Sequence, residues 1–253
     1  MKKIMAVLAA LAICMGCLAG CGGNGAKKYI IATDTSFPPF DIADENGGDN
    51  MTGIDMDILT AVAKDQNFEY ELQPLGFDAA LTALETKQCD GVIAGASITD
   101  KRKEVYDFSE PYYDSGVVMA VKADDGSIKS YADLKDKVIA AKRGTEGAEF
   151  AESLKEQYGI KEITLFDDSP TMYEDVKSGN SVACFEDYPV MGYGIKTGNG
   201  LKMVTDMEKG SSYGFAVLKG ENAELLQKFN TGLANIKASG EYQKIIDKYI
   251  SAE

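Results

Sequence analysis

Strand-like and helix-like segments alternate along the chain from residue 27 onwards, and this alternation limits the folds that are open to it. "KKYIIATD" and "FEYELQPL" carry the β-branched and aromatic residues of strands, whereas "IDMDILTAVAKDQN" carries apolar residues at helical spacing. Further strands are predicted at "CDGVIAGA", "VIAAK", "ITLFD" and "SVACFED", with helical segments between them. Strands that alternate with helices form mostly parallel sheets flanked by helices, so the predicted fold class is α/β.

Polar residues follow four of the predicted strands, and ligands of α/β sheets bind beyond the carboxyl ends of the strands. Two of these groups come before residue 120 and two come after it. A site that used both halves would therefore lie in a cleft between two lobes. The candidate positions are Asp34, Gly95 to Ser97, Lys142 to Thr145, and Glu186 with Asp187.

Charges of both signs occur at or near these strand ends. Arg102 follows Ser97 closely, and a guanidinium with nearby hydroxyl and amide donors suits a carboxylate. The amides of "KRGTEG", at the start of a helix, also suit an anion. Asp187 is an acceptor for an ammonium, so the set would bind a zwitterion. Taken alone, Arg102 could form a surface ion pair within "DKRKE", and Asp187 could cap the segment before Pro189.

The residues that the chain lacks exclude several chemistries. It contains no histidine, which excludes Ser-His-Asp and Cys-His catalysis and histidine-ligated zinc. We expect no metal and no cofactor. Cys89 and Cys184 are the cysteines that would remain in a processed chain, and we interpret them as two buried thiols; a single disulfide is the alternative.

The first 21 residues have the pattern of an export signal. Lys2 and Lys3 precede the apolar run "IMAVLAALAICMGCL", which ends in small residues at "LAGC". "LAGC" has the form of a lipobox and is similar to the signals of bacterial lipoproteins, which implies that Cys21 carries a diacylglyceryl group. Plain secretion with cleavage at another small residue is the alternative. "GGNGAKK" would then be a flexible tether.

The charge of the processed chain is strongly acidic. Removal of Lys2 and Lys3 would leave 24 basic and 40 acidic side chains, a formal net charge of −16. This argues against nucleic acid as a partner, because a basic stripe would be expected for one. It also disfavours electrostatic binding to anionic lipid, so a lipid anchor would have to hold the protein at the membrane.

Five segments together resemble the polar amino-acid binding proteins of ABC importers. They are "ATDTSFPPF", "GIDMDI", "FDAALTALETKQCDGVIAGASITDKRKEVYDFSEPYY", "AAKRGTEG" and "CFEDYP", and they lie in order between about residues 28 and 250. The resemblance implies a two-lobed periplasmic-binding-protein fold of type II that closes over one free amino acid in the interlobe cleft. It also implies a membrane permease as partner and a monomer anchored on the extracytoplasmic face of the cell membrane.

The resemblance implies the following division of the chain. Residues 1–20 would be the signal peptide, and residues 21–27 the lipidated cysteine with its tether. Lobe 1 would be discontinuous and consist of residues 28–111 and 214–253, and lobe 2 would consist of residues 117–208. The hinge crossings would lie at residues 112–116 and 209–213.

The resemblance also assigns a role to each site residue. Arg102 would clamp the α-carboxylate, with the Ser97 hydroxyl and the amides near Thr145 beside it. The Gly95 carbonyl and the Asp187 carboxylate would bind the α-ammonium. The remaining roles are aromatic walls at Phe37 and Phe77, and polar contacts to the side-chain end from Asp34 and Lys142.

The loop "TDTSFPPFDI" would hold two of these residues on a rigid mount. Pro38 and Pro39 stiffen the loop and need no backbone donors, so they would keep the ring of Phe37 in place. We expect Phe40 to pack in the core and Asp41 to be exposed to solvent.

Specificity is where the sequence departs from the family pattern. Asp34 with Lys142 resembles the glutamine-binding branch, but Glu186 stands where that branch has histidine. A further negative charge at the pocket could favour arginine or lysine, although Lys142 would repel them by about 4 kcal/mol at 4 Å. If Glu186 paired with Lys142 the pocket would be nearly neutral, which favours glutamine. An enzyme on the same fold, such as a lyase or dehydratase with Glu186 as general acid, is the alternative of another class.

The lipobox reading predicts that Cys21 decides where the protein is found. Cys21→Ala is expected to move the protein from the membrane fraction to the soluble extracytoplasmic fraction, because the lipid anchor is lost. Fractionation and immunoblotting measure this, and Cys17→Ala, within the predicted signal, is the matched control that should stay in the membrane fraction. Membrane association of Cys21→Ala would contradict the lipobox.

Overall fold

The structure is a computed structural model that describes residues 27–43 and 50–250. The predicted signal peptide, Cys21 and most of the tether lie outside these residues. Each helix of the described residues is too short or too polar to span a bilayer.

Fourteen strands and eight α-helices make up this part of the chain. The strands are β1 (Lys28–Thr33), β2 (Ser36–Phe37), β3 (Asp41–Ala43), β4 (Met51–Thr52), β5 (Glu69–Pro74), β6 (Gly91–Val92), β7 (Tyr106–Phe108), β8 (Tyr113–Lys122), β9 (Val138–Lys142), β10 (Glu162–Phe166), β11 (Cys184–Asp187), β12 (Leu201–Met203), β13 (Glu208–Tyr213) and β14 (Ala216–Leu218). The helices are α1 (Ile54–Asp65), α2 (Phe77–Glu85), α3 (Asp100–Lys103), α4 (Glu146–Tyr158), α5 (Ser169–Ser178), α6 (Tyr188–Lys196), α7 (Ala223–Ser239) and α8 (Glu241–Tyr249), and a 3₁₀ turn spans Tyr131–Leu134.

Lobe 1 is built on a five-stranded sheet with the order β5-β1-β6-β14-β7. Helices α1, α7 and α8 cover one face, where Ile58, Phe215 and Phe229 belong to one core cluster. The rings of Phe215 and Phe229 stack with centroids 4.5 Å apart. Helix α2 covers the other face through Ala80 and Leu84. The C-terminal strand and helices therefore return to the lobe in which the described chain begins.

Lobe 2 is contiguous and has the sheet order β10-β9-β11-β8-β12, with β13 paired to β8. Helix α4 packs on one face, where Phe150 and Phe185 make an edge-to-face contact at 5.8 Å. Helices α5 and α6 pack on the other face through Met172 and Met191. Both faces of this sheet are covered by helices, and the residues of β9 and β11 are almost all buried.

The α/β class is confirmed, but both sheets are mixed rather than mostly parallel. In lobe 1, β1 runs parallel to β5 and β6, whereas β14 runs antiparallel to β6 and β7. In lobe 2, β9 runs parallel to β10 and β11, whereas β8 runs antiparallel to β11 and β12. The strands that enter each sheet directly from the other lobe arrive without a crossover helix, so they run antiparallel.

The two lobes are joined by two adjacent strand segments. The start of β8 pairs antiparallel with the end of β13, with Tyr113 opposite Tyr213 and Ser115 opposite Ser211. The rings of Tyr113 and Tyr213 are stacked at 6.2 Å and 21°. These strands overlap residues 112–116 and 209–213, and the role of those residues as hinge crossings stays a prediction.

The proline loop after β1 packs more deeply than expected. Phe40 is fully buried, as predicted, but the prediction that Asp41 is exposed is wrong, because its relative exposure is 0%. The Thr33 hydroxyl donates a 2.7 Å hydrogen bond to Asp41 Oδ1. Strands β2, β3 and β4 form a small separate sheet that carries Asp41 inwards.

Two further details differ from what the sequence indicated or left open. The three glycines of "GYGIKTG" at 192–198 are typical of a turn, but most of this segment belongs to α6, whose start is helped by Pro189 in the first turn. Cys89 and Cys184 are both buried free thiols, and burial raises the pKa of each. They lie in core clusters of different lobes.

The lobes approach each other closely at Gly144, which predicts that a large side chain introduced at this position would hold them apart. A Cβ at Gly144 would lie 2.7 Å from Asp78 Oδ1 of lobe 1, which can move aside, and 3.4 Å from Asp78 Cβ, so a side chain as large as leucine is needed to push against the lobe. Gly144→Leu is expected to remove the population with the lobe separation seen here, as measured by electron–electron distances between one spin label on each lobe.

The matched control is Gly179→Leu, because Gly179 also has a positive φ but has no atom within 4 Å of its Cβ position. Both variants should lose about 1–2 kcal/mol of stability from left-handed backbone strain. Identical distance distributions for the two variants would contradict the close approach.

Candidate functional site

One small cavity between the lobes is lined by nine of the ten binding residues that the sequence suggested. Its volume is only about 10 Å³, because the two lobes lie close together here. Lobe 1 contributes residues that follow β1 and β6 or begin α2 and α3, and lobe 2 contributes residues at the ends of β9 and β11 and at the start of α4. The lining residues are Asp34, Phe37, Phe77, Ala94, Gly95, Ser97, Arg102, Lys142, Thr145, Glu146 and Asp187.

Arg102 is buried at the cavity and does not form a surface ion pair. Only 9% of its surface is exposed, and the Thr99 side chain caps the short helix α3 by accepting from Arg102 N–H at 3.2 Å. Its guanidinium donates to the carbonyls of Ser97 and Gly144, both at 2.9 Å. Since Gly144 belongs to lobe 2, this guanidinium bridges the two lobes.

Asp34 and Lys142 form a buried ion pair across the cleft. Their side chains are 2% and 1% exposed, and the Lys142 ammonium donates to Asp34 Oδ2. The same ammonium donates to the Ser36 carbonyl at 3.2 Å, while Asp34 Oδ1 accepts from the Thr35 amide at 2.7 Å. One anion and one cation therefore share this end of the cavity.

Phe37 and Phe77 supply the two aromatic walls. The Lys142 ammonium lies 5.3 Å from the centre of the Phe37 ring, and the Arg102 guanidinium lies 5.2 Å from that of Phe77. Both distances are within the range of cation–π attraction. Phe37 also packs against Gly95, where a Cβ would lie 2.2 Å from the ring. Only glycine leaves room for the ring there.

Asp187 ends β11 and is aimed at the crossing strands. Its Oδ2 accepts a 2.5 Å hydrogen bond from the Tyr213 hydroxyl, which itself accepts from the Ser115 hydroxyl at 2.9 Å. Burial raises the pKa of Asp187 to about 7, and the nearby charges of Glu186 and Glu146 act in the same direction. The hydrogen bond from Tyr213 and the charge of Arg102 lower it.

Thr145 lines the cavity and is the N-cap of α4. Its hydroxyl accepts from the Ala148 amide at 3.2 Å and donates to the Lys142 carbonyl at 2.7 Å. The positive end of the helix dipole adds to the attraction for an anion at this point.

Glu186 does not line the cavity, so the expectation that its charge faces the pocket is corrected. Its carboxylate accepts from the hydroxyls of Ser169 and Tyr173 at 2.7 and 2.9 Å, and from the Asp187 amide at 2.9 Å. Neighbouring residues of a strand point to opposite faces, so Asp187 and Glu186 diverge. Lys142 pairs with Asp34 rather than with Glu186.

Sequence reasoning missed three residues of this site. Glu146 lines the cavity and accepts from the Ser211 hydroxyl at 2.8 Å. Its place directly after Thr145 at a strand end was the signal that could have identified it. Ala94 contributes a small wall. Tyr213 is 26 residues from Asp187 in sequence, and nothing in its local sequence indicated that contact.

The arrangement provides separate partners for a carboxylate, an ammonium and a polar end group. Arg102 is a donor, Asp187 is an acceptor, and Asp34 with Lys142 offers one of each. Within residues 27–43 and 50–250, no group of three or more Cys, Asp and Glu side chains could hold a metal ion.

Comparison with known proteins identifies a family model that covers nearly all of the described chain. The model of the bacterial extracellular solute-binding proteins, family 3, matches residues 29–252. The arginine-binding extracellular protein ArtP of Bacillus subtilis is 32% identical over 260 residues and the match covers 100% of both chains. The L-cystine-binding protein TcyJ of Escherichia coli is 30% identical, with 88% of this chain and 83% of TcyJ covered.

Two solved structures share this fold but superpose on it to different extents. An ancestral arginine-binding protein bound to arginine is 35% identical, with a TM-score of 0.81 over 88% of this chain and 98% of the other. The second substrate-binding domain of GlnP from Lactococcus lactis, in an open conformation, is 41% identical, with a TM-score of 0.61 over 90% and 99%. The domain with the higher sequence identity thus superposes less well.

Proposed function

The chain belongs to the bacterial extracellular solute-binding proteins, family 3, and we propose that it captures one free polar amino acid. Glutamine is the favoured ligand, and the protein would deliver it to the permease of an ABC importer. As a member of this family it is a binding protein and not an enzyme. The family and its two-lobed fold agree with the resemblance found in the sequence.

The observation that carries the proposal is the burial of Arg102 and Asp187 in one cavity, with Arg102 from lobe 1 and Asp187 from lobe 2. An α-carboxylate on Arg102 and an α-ammonium on Asp187 would complete two charge-assisted interactions. The cavity has a volume of only about 10 Å³, so an amino acid would enter it while the lobes are further apart.

The buried pair of Asp34 and Lys142 supports a neutral amide side chain. An amide has one acceptor and one donor, so it can meet the Lys142 ammonium and the Asp34 carboxylate together. A cationic side chain would meet Lys142 with like charge, which costs about 4 kcal/mol at 4 Å in a surface-like dielectric. A basic amino acid is the second candidate, because ArtP and the ancestral relative bind arginine by their names.

Closure of the lobes would link capture to delivery. Arg102 with Gly144, and Asp34 with Lys142, make contacts that exist only when the lobes are together. A ligand that touches both lobes stabilises this closed form, which then docks on the permease. The better superposition on the arginine-bound relative than on the open GlnP domain supports a closed arrangement here. Cys21, acylated, would hold the protein as a monomer at the extracytoplasmic face of the membrane.

Calorimetric titration of residues 28–253 with each of the twenty amino acids tests the function directly. We expect glutamine to bind and arginine and lysine to bind at least tenfold more weakly, because of Lys142. Tighter binding of arginine than of glutamine would establish a basic amino acid as the ligand. No measurable binding of any of the twenty would refute amino-acid capture.

Arg102→Ala is the matching variant, with Arg143→Ala as its control. Loss of a charge-assisted hydrogen bond costs about 1.5–3 kcal/mol, so Arg102→Ala should weaken binding by at least tenfold. Arg143 is 46% exposed and pairs with Asp167 outside the cavity, so its removal should leave Kd unchanged. Equal affinities for the two variants would remove Arg102 from the site.

The raised pKa of Asp187, about 7, predicts weaker binding in acid. The ligand ammonium requires the carboxylate, so below pH 7 binding must release a proton from Asp187. Kd is therefore expected to rise about tenfold for each pH unit between about pH 7 and pH 5. Calorimetry in two buffers of different ionisation enthalpy measures both Kd and the number of protons released.

Asp187→Asn is the control for this pH dependence. It should bind more weakly at pH 8 and show a flat profile from about pH 7 to pH 5, since the amide has no proton to release. An unchanged slope in Asp187→Asn would assign the effect to another group.

A further inference from the structure

Asp55 is a buried carboxyl of lobe 1 that does not line the cavity. It lies in the first turn of α1 and its relative exposure is 0%. All of its hydrogen bonds go to Oδ2, and Oδ1 is buried without a partner. Burial raises the pKa of Asp55 to about 7, and its two donors lower it. A group so costly to bury needs a reason at this position.

The first donor to Asp55 is the backbone of the cavity wall. The Gly95 amide donates to Asp55 Oδ2 at 2.8 Å, and Gly95 lies just after β6 with φ +55. This left-handed turn faces the ring of Phe37, and it is the turn whose carbonyl is proposed to meet the ligand ammonium. Asp55 therefore fixes the peptide that enters this turn.

The second donor to the same oxygen is the first residue of the lobe crossing. The Tyr112 hydroxyl donates to Asp55 Oδ2 at 2.9 Å. The Tyr112 amide donates to the Tyr213 carbonyl at 2.9 Å, and its own carbonyl accepts from the Tyr242 hydroxyl. Tyr112 is thus tied to both crossing strands and to α8.

We propose that Asp55 is a positioning residue that holds the Gly95 turn and the start of the crossing at Tyr112 in one fixed relation. The lobes then rotate about the crossing residues that follow Tyr112. The Gly95 turn, which faces the ligand, keeps its position relative to the start of that crossing. The part of this inference that concerns affinity rests on the proposed function. The fixed relation itself is a property of the protein without ligand.

Three variants test the role through binding. Asp55→Leu, which removes both hydrogen bonds, is expected to raise Kd at least tenfold. Asp55→Asn should stay within threefold of wild type, because its amide oxygen can accept from both donors. Tyr112→Phe alone should raise Kd several-fold, and should add less than twofold in the Asp55→Leu background, as expected for residues that act together. Strictly multiplicative losses in the double variant would overturn the coupling.

Ser109→Ala separates positioning from general destabilisation. The Ser109 hydroxyl of lobe 1 accepts from the buried Phe215 amide at 2.9 Å, so this variant also removes the acceptor of a buried amide. Ser109 lies outside the cavity, so Kd should change less than threefold even where thermal stability falls as far as in Asp55→Leu. Equal losses of affinity in both variants would reduce Asp55 to a structural residue.

Amide hydrogen exchange tests the inference without any ligand, and also if Asp55→Leu fails to fold. In wild type the Gly95 amide should be among the protected amides of lobe 1, and Tyr112→Phe should speed its exchange at least threefold without affecting that of Phe215. Fast exchange of Gly95 in wild type, or no change in Tyr112→Phe, would overturn the proposal. If no amino acid binds, the proposed function fails while this result still decides the role of Asp55.

Discussion

The burial of charged groups between the lobes is the constraint on which the rest of the structure depends. A charge taken out of water costs several kcal/mol unless a partner satisfies it. Lys142 finds Asp34 across the cleft, Arg102 finds the Gly144 carbonyl, and Asp187 finds the Tyr213 hydroxyl on a crossing strand. Each of these partners comes from the opposite lobe or from a crossing. The same charged groups would bind a ligand and hold the lobes together, so the electrostatics of cleft closure and of ligand recognition cannot be separated.

Much of the site was predictable because it follows from sheet geometry. In an α/β sheet the strand ends gather at one edge, so Asp34, Gly95, Lys142 and Asp187 could be listed together before any contact was known. The type of each residue then indicated its chemistry. Arg102 required the family resemblance, because a basic residue in "DKRKE" is by itself as consistent with a solvated helix.

The failures have equally specific causes. Glu186 was assigned to the pocket with its neighbour, although adjacent residues of a strand face opposite ways. Asp41 was expected in solvent because a polar loop usually is, but the three short strands β2, β3 and β4 carry it inwards to Thr33. Elements of two or three residues leave no periodic signal. The contact of Tyr213 with Asp187 depends on tertiary pairing that the local sequence does not encode.

The strand order of lobe 1 governs when this protein can fold. Strand β14 lies between β6 and β7, and within the described residues β7 pairs only with β14. In lobe 1, β7 therefore cannot join the other strands of the sheet until the chain has been synthesised to residue 218, although most strands of this sheet lie before residue 110. Lobe 2 is contiguous and needs no such wait. A chain that emerges from its amino end would complete its second lobe before its first, and its earliest segments would remain exposed longest.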